Sequence, residues 1–212
     1  MQGVHVSTHP LVAHHVAALR DPGTRPPEFR RLVRQLAALL AHEATASLPT
    51  REVAVTTPLA TTTGRRLADR IAIVPILRAG LGMADAILDL LPDAEVWHVG
   101  LARDETTLEP HEYYNRLPAR CSATVAIVAD PMLATGGSAV RTCEILRAAG
   151  IDRIVYLALI AAPEGVERLH VGMPDVAIHV AALDAGLNAV GFILPGLGDA
   201  GDRQFGTLPD HA

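Results

Sequence analysis

Val125-Ala-Ile-Val-Ala-Asp-Pro-Met-Leu-Ala-Thr-Gly-Gly-Ser-Ala-Val140 is the stretch of the chain that decides its fold. Its first five residues are apolar and rich in β-branched side chains, which is typical of a strand buried on both faces of a parallel sheet. Asp130 then comes at the carboxyl end of that strand, the edge at which open α/β sheets bind their ligands. Residues 139–149 have helical character, so the stretch predicts a strand, a ligand-binding loop and a helix.

Thr135, Gly136, Gly137 and Ser138 form the loop between this strand and this helix. The glycines let the backbone approach a ligand closely, both hydroxyl groups can donate, and the helix start offers free N–H groups and a positive dipole end. This combination indicates a phosphate site, and the preceding Asp130 indicates a ligand that also carries hydroxyl groups, such as those of ribose. The alternative is an ordinary strand–turn–helix junction with an N-cap, and spacing alone leaves both open. The pattern G-x-x-x-x-G-K-[ST] is absent and G-x-G-x-x-G does not follow the first predicted strands, which disfavours the usual nucleotide-binding folds.

The composition bounds the class of protein. With 212 residues, half of them hydrophobic and 19% charged, the chain is expected to form one domain over 1–212 with an aliphatic core. So few charges also predict that part of the surface is covered in an oligomer. The net charge of −5 argues against nucleic-acid and membrane partners, and the absence of lysine excludes Schiff-base chemistry.

The two cysteines and the hydropathy limit the class of protein further. Cys121 and Cys143 have no metal-like spacing and are interpreted as buried packing thiols. The sequence has no apolar run near the roughly 20 residues of a membrane span, and its N-terminus lacks a signal-peptide pattern. We therefore expect a soluble, cytoplasmic protein.

Strand and helix patterns alternate along the chain. This order predicts an α/β fold, with a parallel sheet flanked by helices and joined by right-handed crossovers. Outside the central stretch, helices are predicted near residues 11–19, 26–48, 82–91 and 166–170, strands near 71–75, 96–101, 154–162 and 176–181, and a hairpin near 53–60.

Two arginines stand where predicted strands end. Arg78 follows the strand at 71–75, and a planar guanidinium at that point suits the oxygens of a pyrophosphate, although a surface residue capping a turn is the alternative. Arg103 begins a polar stretch, 103–114, that has no clear period and predicts a mobile flap able to close on a reactive intermediate. A surface loop or a β-arm for dimer contact is compatible with the same pattern.

Two other segments offer ligand groups. Residues 191–206 hold five glycines and one proline, so a regular element is not expected there, and we interpret the segment as a loop whose main chain meets a planar base. A tail packed on a neighbouring subunit is the alternative. In the helix at 26–48, Arg30, Arg31 and Arg34 share one face, which is either solvated or a site for an anionic effector.

The central stretch resembles the loop that binds 5-phospho-α-D-ribose 1-diphosphate (PRPP) in uracil phosphoribosyltransferases, with Pro131 after Asp130 where the wider phosphoribosyltransferase family has a second acid. Further stretches along nearly the whole chain are similar to the same family: Val74-Pro-Ile-Leu-Arg-Ala-Gly-Leu-Gly-Met83, Arg103-Asp-Glu with Leu108-Glu-Pro110, Ala161-Ala-Pro-Glu-Gly165 and Pro195-Gly-Leu-Gly-Asp-Ala-Gly-Asp202.

The resemblance implies a type I phosphoribosyltransferase fold with a hood and a flexible β-arm or flap, and an enzyme that makes UMP and diphosphate from uracil and PRPP. It implies Mg²⁺ held mainly through PRPP, with no protein metal ligand set, a homodimer or homotetramer, and in some members activation by GTP. The residues implied to bind PRPP are Arg78, Arg103, Asp130, Pro131, Met132, Leu133, Ala134, Thr135, Gly136, Gly137, Ser138 and Asp199. Those implied to bind uracil are Ile193, Gly198, Asp199 and Ala200, and those expected to take part in catalysis are Asp130, Asp199 and Arg103.

Two positions depart from the family pattern. Ala102 and Phe192 stand where tyrosine is common, and the lost hydroxyl groups are expected to weaken substrate affinity. The lysine-free N-terminal third leaves activation by GTP open. There are two competing hypotheses: a non-catalytic PRPP or nucleotide sensor, and an enzyme for another base. The acidic net charge disfavours an RNA-binding regulator.

Overall fold

The computed structural model of the chain describes residues 3–103 and 110–207. In chain order its elements are β1 (Val4–Val6), α1 (Pro10–Arg20), α2 (Pro26–Thr45), β2 (Thr50–Thr56), β3 (Thr61–Leu67), β4 (Ile71–Leu77), α3 (Leu81–Leu90), β5 (Glu95–Val96), β6 (Val99–Arg103), β7 (Pro110–Asn115), β8 (Val125–Ala129), β9 (Met132–Leu133), α4 (Gly137–Ala148), β10 (Arg153–Ala161), α5 (Pro163–Gly172), β11 (Ala177–Leu183), β12 (Gly186–Leu187), β13 (Ile193–Leu194) and α6 (Ala200–Phe205).

The main sheet has the strand order β1-β11-β10-β8-β4-β6-β7, with β5 beside β4 and β9 beside β10. Its pairings are parallel except that of β6 with β7. The central strand β8 is buried along its whole length, as the apolar run predicts. The predicted α/β fold with a parallel sheet is therefore confirmed, and the carboxyl ends of β4 and β8 lie side by side.

Helices cover both faces of this sheet. Alternate residues of β4 point to opposite faces, so that Ile71 and Ile73 join one core, which α1, α2 and α3 complete, while Ala72 and Val74 join the other, which α4 and α5 complete. Two apolar cores thus hold the sheet rigid between two helical layers.

The hairpin of β2 and β3 departs from the prediction for residues 53–60. It spans residues 50–67 and forms a two-stranded antiparallel sheet apart from the main one. Its strands are rich in Thr and Arg and exposed on both faces, so they lack the apolar alternation by which a strand is recognised.

The polar stretch 103–114 contains more regular structure than its sequence indicates. Residues 110–115 form β7, antiparallel to β6, because the edge of the sheet supplies backbone partners that a polarity pattern does not reveal. The remainder of the predicted flap, 104–109, lies outside the described residues.

The expectation that residues 191–206 hold no regular element is wrong. They contain β13 and the short helix α6, whose buried Arg203 donates to the carbonyl groups of Leu19 and Leu197, each at 2.8 Å, and stacks on the Phe29 ring at 4.6 Å. Leu19 and Phe29 are distant from Arg203 in sequence, so a glycine-rich composition could not reveal the helix.

The two cysteines differ in how deeply they are buried. Cys143 is buried as expected, but Cys121 is only half-buried, because it lies in the irregular segment before β8.

Among the described helices, none combines the length and apolar character that a bilayer crossing requires.

Candidate active site

The carboxyl ends of the central strands open into a cavity of ≈ 310 Å³. Three segments distant in sequence meet around it: the turn after β4, the loop after β8, and the glycine-rich tail. Its lining residues are Ile76, Leu77, Arg78, Ala79, Leu101, Asp130, Met132, Ala134, Ser138, Val190, Gly191, Phe192, Ile193 and Asp199. A charged rim with an apolar tail wall suits a ligand that joins an anionic part to a flat ring.

The loop after β8 has the conformation expected of an anion cup. Gly136, the N-cap of α4, has φ +78°, and a Cβ built there would lie 2.8 Å from the Gly165 carbonyl oxygen, so only glycine fits. A second, smaller cavity of ≈ 50 Å³ lies against this loop. Since α4 begins at Gly137, its free N–H groups and positive dipole end are available to a phosphate.

Asp130 lines both cavities. Its Oδ1 accepts from the Met132 N–H at 3.4 Å and its Oδ2 accepts from the Tyr156 hydroxyl at 3.2 Å. Burial raises the pKa of this carboxyl from its ordinary value to about 6, and the two hydrogen bonds act in the opposite direction. Asp130 is therefore an acid held at the junction of the two cavities, and it changes charge near neutral pH.

Arg78 follows the last residue of β4, after a cis peptide bond between Leu77 and Arg78. Its side chain is 58% exposed at the cavity, and its Nη2 donates to Asp202 Oδ1 at 3.0 Å. The Thr207 hydroxyl donates to the same oxygen, and together these contacts lower the pKa of Asp202. The pair joins the turn after β4 to α6 and leaves a guanidinium facing solvent and cavity.

Asp199 lines the cavity and is also the N-cap of α6, because its Oδ1 accepts from the Asp202 N–H at 2.8 Å. Ile193 lines the same cavity from the tail. Gly198, with φ +78°, and the buried Ala200 flank Asp199 in the chain without lining the cavity.

The other predicted ligand residues divide between the two cavities. Met132, Ala134 and Ser138 line both, whereas Leu133, Thr135 and Gly136 line only the smaller one. Pro131 and Gly137 belong to the loop but line neither of these cavities. Arg103 ends β6 beside the site, and its side chain lies outside the described part of the structure.

Sequence reasoning missed the groups that support the site. Tyr156 is fully buried in β10, and no motif marks it. Arg20 forms an ion pair with Asp184 and donates to the Gly196 carbonyl oxygen at 2.7 Å, while Asp184 accepts from the Gly196 N–H at 2.9 Å. These contacts hold the tail against α1, and the only signal in the sequence was an acid isolated in an apolar stretch.

The arginine-rich face of α2 contacts other parts of the protein. Arg30 donates to the Gln204 carbonyl oxygen at 2.8 Å, Arg31 pairs with Glu28, and Arg34 bridges two acids of α3. The side chains of Arg31 and Arg34 remain 57% and 43% exposed, so the solvated face and the effector site both stay predictions.

The chain is similar to known proteins along nearly its whole length. A family described as "Uracil phosphoribosyltransferase" matches residues 6–207. A protein named uracil phosphoribosyltransferase from Roseiflexus sp. (strain RS-1) is 56% identical over 207 residues, covering 98% of this chain and 100% of the relative. One of the same name from Dictyoglomus thermophilum is 53% identical over 203 residues, covering 95% and 98%.

Solved structures extend the comparison to the fold. The AQ2163 protein from Aquifex aeolicus superposes with a TM-score of 0.91 at 35% identity, covering 95% of this chain and 97% of that one. Adenine phosphoribosyl transferase from Trypanosoma brucei, solved with AMP, pyrophosphate and ribose-5-phosphate, has a TM-score of 0.56 at 14% identity, covering 86% and 84%. The second likeness concerns the fold alone.

Proposed function

The chain belongs to the uracil phosphoribosyltransferase family, and from that premise we propose that its cavity joins uracil to PRPP and releases UMP and diphosphate. The observation that carries the proposal is the meeting of three segments at one cavity: Arg78, the loop from Asp130 to Ser138, and the tail from Val190 to Asp199. A pentosyl transfer needs a phosphate cup, a cation for the leaving diphosphate and a flat slot for the base.

We assign the substrate groups by matching charge and shape. The 5-phosphate lies on the loop at the start of α4, the ribose hydroxyls face the Asp130 carboxylate, and the diphosphate faces Arg78 and Arg103. Uracil lies along the tail between Ile193 and Ala200, where main-chain N–H and C=O groups match its alternating carbonyl and N–H groups.

The side chains around the cavity fit a magnesium complex of PRPP. Asp130, Asp199 and Ser138 line it with oxygen donors, the chemistry that Mg²⁺ prefers, and Mg²⁺ binds chiefly through substrate phosphates and water. When bound, Mg²⁺ neutralises charge on the diphosphate as it leaves. We propose that PRPP brings the ion and that Asp199 accepts a hydrogen bond from its water or receives the N1 proton of uracil.

The transfer follows from this placement. The C1–oxygen bond of PRPP breaks with its electron pair leaving on the diphosphate, and uracil N1 forms the new bond to C1 from the opposite face and loses its proton. Asp130 orients the ribose as positive charge develops on it, and Arg78 and Arg103 stabilise the departing anion. Catalysis is mainly positioning and preorganised charge.

One assay tests the proposal. Purified protein receives PRPP, Mg²⁺ and, separately, uracil, guanine, hypoxanthine or orotate, and diphosphate release is followed. We expect diphosphate release with uracil and none with the other three bases. Release with another base would change the substrate, and PRPP binding without release would favour a sensor. Adding GTP to the uracil reaction tests activation, since a rise in kcat would identify GTP as an effector.

We further propose that residues 1–212 act as one domain and that the chain forms a homodimer or homotetramer. The tail is tied to α1 by Arg20 and Asp184, which supports one domain. The hairpin of β2 and β3 supports the oligomer, because an exposed two-stranded hairpin is only marginally stable without a partner surface.

A further inference from the structure

Tyr156 is a buried tyrosine whose hydroxyl reaches the proposed active site. It lies in the middle of β10, opposite Val128 of β8 in the parallel register, and none of its surface is exposed. The ring packs in the core on the α4 side of the sheet, and the side chain lines the small cavity beside the phosphate loop. A buried tyrosine needs a hydrogen-bond partner, and here the partner is Asp130 Oδ2 at 3.2 Å.

Two hydrogen bonds from the protein fix the position of the Asp130 carboxylate. The Met132 N–H binds Oδ1, and the Tyr156 hydroxyl binds Oδ2, so both oxygens are held from the protein side. A carboxylate accepts about four hydrogen bonds, so each oxygen keeps a further position. Since Asp130 lines both cavities, those positions are available to ligand hydroxyl groups.

We propose that Tyr156 is a positioning residue, which fixes the orientation of the Asp130 carboxylate toward the ribose of PRPP. The inference rests on the proposed function, which it deepens by adding a residue from a strand that carries no ligand motif.

The groups around the pair leave the hydroxyl as the decisive contact. From β10 the carboxylate faces Tyr156, and from its own loop it faces the Met132 N–H. From α4, Cys143 acts on Tyr156, and because burial raises the pKa of this thiol to about 12, it is neutral. Arg78 and Asp199 line the larger cavity from its other sides, where Arg78 is paired with Asp202 and Asp199 caps α6. Burial raises the pKa of Asp130 and the Tyr156 hydrogen bond lowers it, so removing the hydroxyl raises it further.

Tyr156→Phe keeps the ring and removes only the hydroxyl. The test is the pH dependence of kcat/KM for PRPP with uracil. We expect the midpoint of its acid limb to move upward by about one pH unit, because a hydrogen bond to a charged group has that strength. The melting temperature at pH 7–8 should fall by only a few degrees, because the folded protein loses one hydrogen bond to the ionised carboxylate. Thr45→Val, which removes a hydroxyl bonded to the Ala41 carbonyl oxygen in α2, should leave the acid limb in place.

An acid limb unchanged in Tyr156→Phe would overturn the inference. If the wild-type protein turns over no base, the proposed function fails, and the carboxyl titration of Asp130, followed by NMR in wild type and Tyr156→Phe, still tests the hydrogen bond directly. Equal titration midpoints in the two proteins would overturn it, and a higher midpoint in Tyr156→Phe would support it.

Discussion

At the scale of single residues, Arg78 is the side chain whose loss should be felt most directly by the diphosphate. Because a charge-assisted hydrogen bond contributes about 1.5–3 kcal/mol, Arg78→Ala should lower kcat/KM for PRPP roughly ten- to a hundred-fold. The guanidinium is exposed, so thermal stability should hardly change. Arg31→Ala, assayed without GTP, is the matched control, because its guanidinium is 57% exposed and pairs with Glu28 at 2.9 Å within α2. Equal kinetics for Arg78→Ala and wild type would remove Arg78 from the site.

The charge of Asp130 gives a second prediction at this scale. Since its pKa is about 6 and the ionised form is the one that accepts from ribose hydroxyls, kcat/KM should fall as pH drops through about 6. The free energy of unfolding depends on pH in the opposite direction. A carboxyl whose pKa is raised on folding stabilises the folded state while it is protonated, and this contribution is lost as pH rises through about 6.

Asp130→Asn separates the two effects. It should abolish the acid limb of the pH profile, lower kcat/KM at pH 7–8 and leave the melting temperature equal or higher there, as followed by steady-state kinetics and thermal unfolding. Full activity in a folded Asp130→Asn protein would contradict the ribose role.

The position of a site residue could be predicted where a charged side chain directly follows a predicted strand. Asp130 and Arg78 each follow an apolar run, so their place at the ligand edge could be read from the chain alone. Tyr156 could not, because its contact depends on the register of β10 against β8, which pairs Tyr156 with Val128 and is set by packing across the whole sheet.

At the scale of elements, Gly136 forms the left-handed turn from which α4 begins, at the proposed phosphate site. Gly136→Ala should both strain the left-handed backbone, by about 1–2 kcal/mol, and push the new methyl group against the Gly165 carbonyl oxygen. We expect a lower melting temperature together with a higher KM for PRPP.

Gly150→Ala provides the control for this element. Gly150 has φ +87° after the other end of α4, but a Cβ there meets nothing within 4 Å. It should therefore lower the melting temperature without changing KM for PRPP. If the two variants had the same kinetics, the loop geometry would not be what binds the phosphate.

A helix or strand could be predicted where its own residues carry the pattern, and not where it depends on contacts with distant residues. The buried strands β4, β8 and β10 each carry a continuous apolar run, and the amphipathic helix α2 carries its own helical periodicity. The tail helix α6 depends instead on Arg203 reaching the carbonyl group of Leu19 and the ring of Phe29, and no local pattern encodes such distant partners.

At the scale of the whole molecule, the hairpin of β2 and β3 extends from a chain with few charges. Leu59 at its tip is 96% exposed, and Val55 and Leu67 expose further apolar surface along it. Apolar groups displayed on a hairpin outside the main sheet are explained if they are covered by another copy of the chain. Analytical ultracentrifugation at micromolar concentration should therefore give the mass of a dimer or tetramer.

Leu59→Asp tests whether the hairpin tip makes that contact. Placing a charge in a buried interface costs several kcal/mol unless it is paired, so the equilibrium should shift toward monomer by at least ten-fold in the dissociation constant. Val171→Asp, on the exposed face of α5 at 76% exposure, introduces the same charge away from the hairpin and should leave the mass unchanged. A wild-type monomer at micromolar concentration would contradict the oligomer, whereas loss of assembly in Val171→Asp alone would move the interface to α5. Because the hairpin contributes no residue to the lining of the cavity, any fall in UMP formation that accompanies dissociation would mean that assembly supports the site from outside.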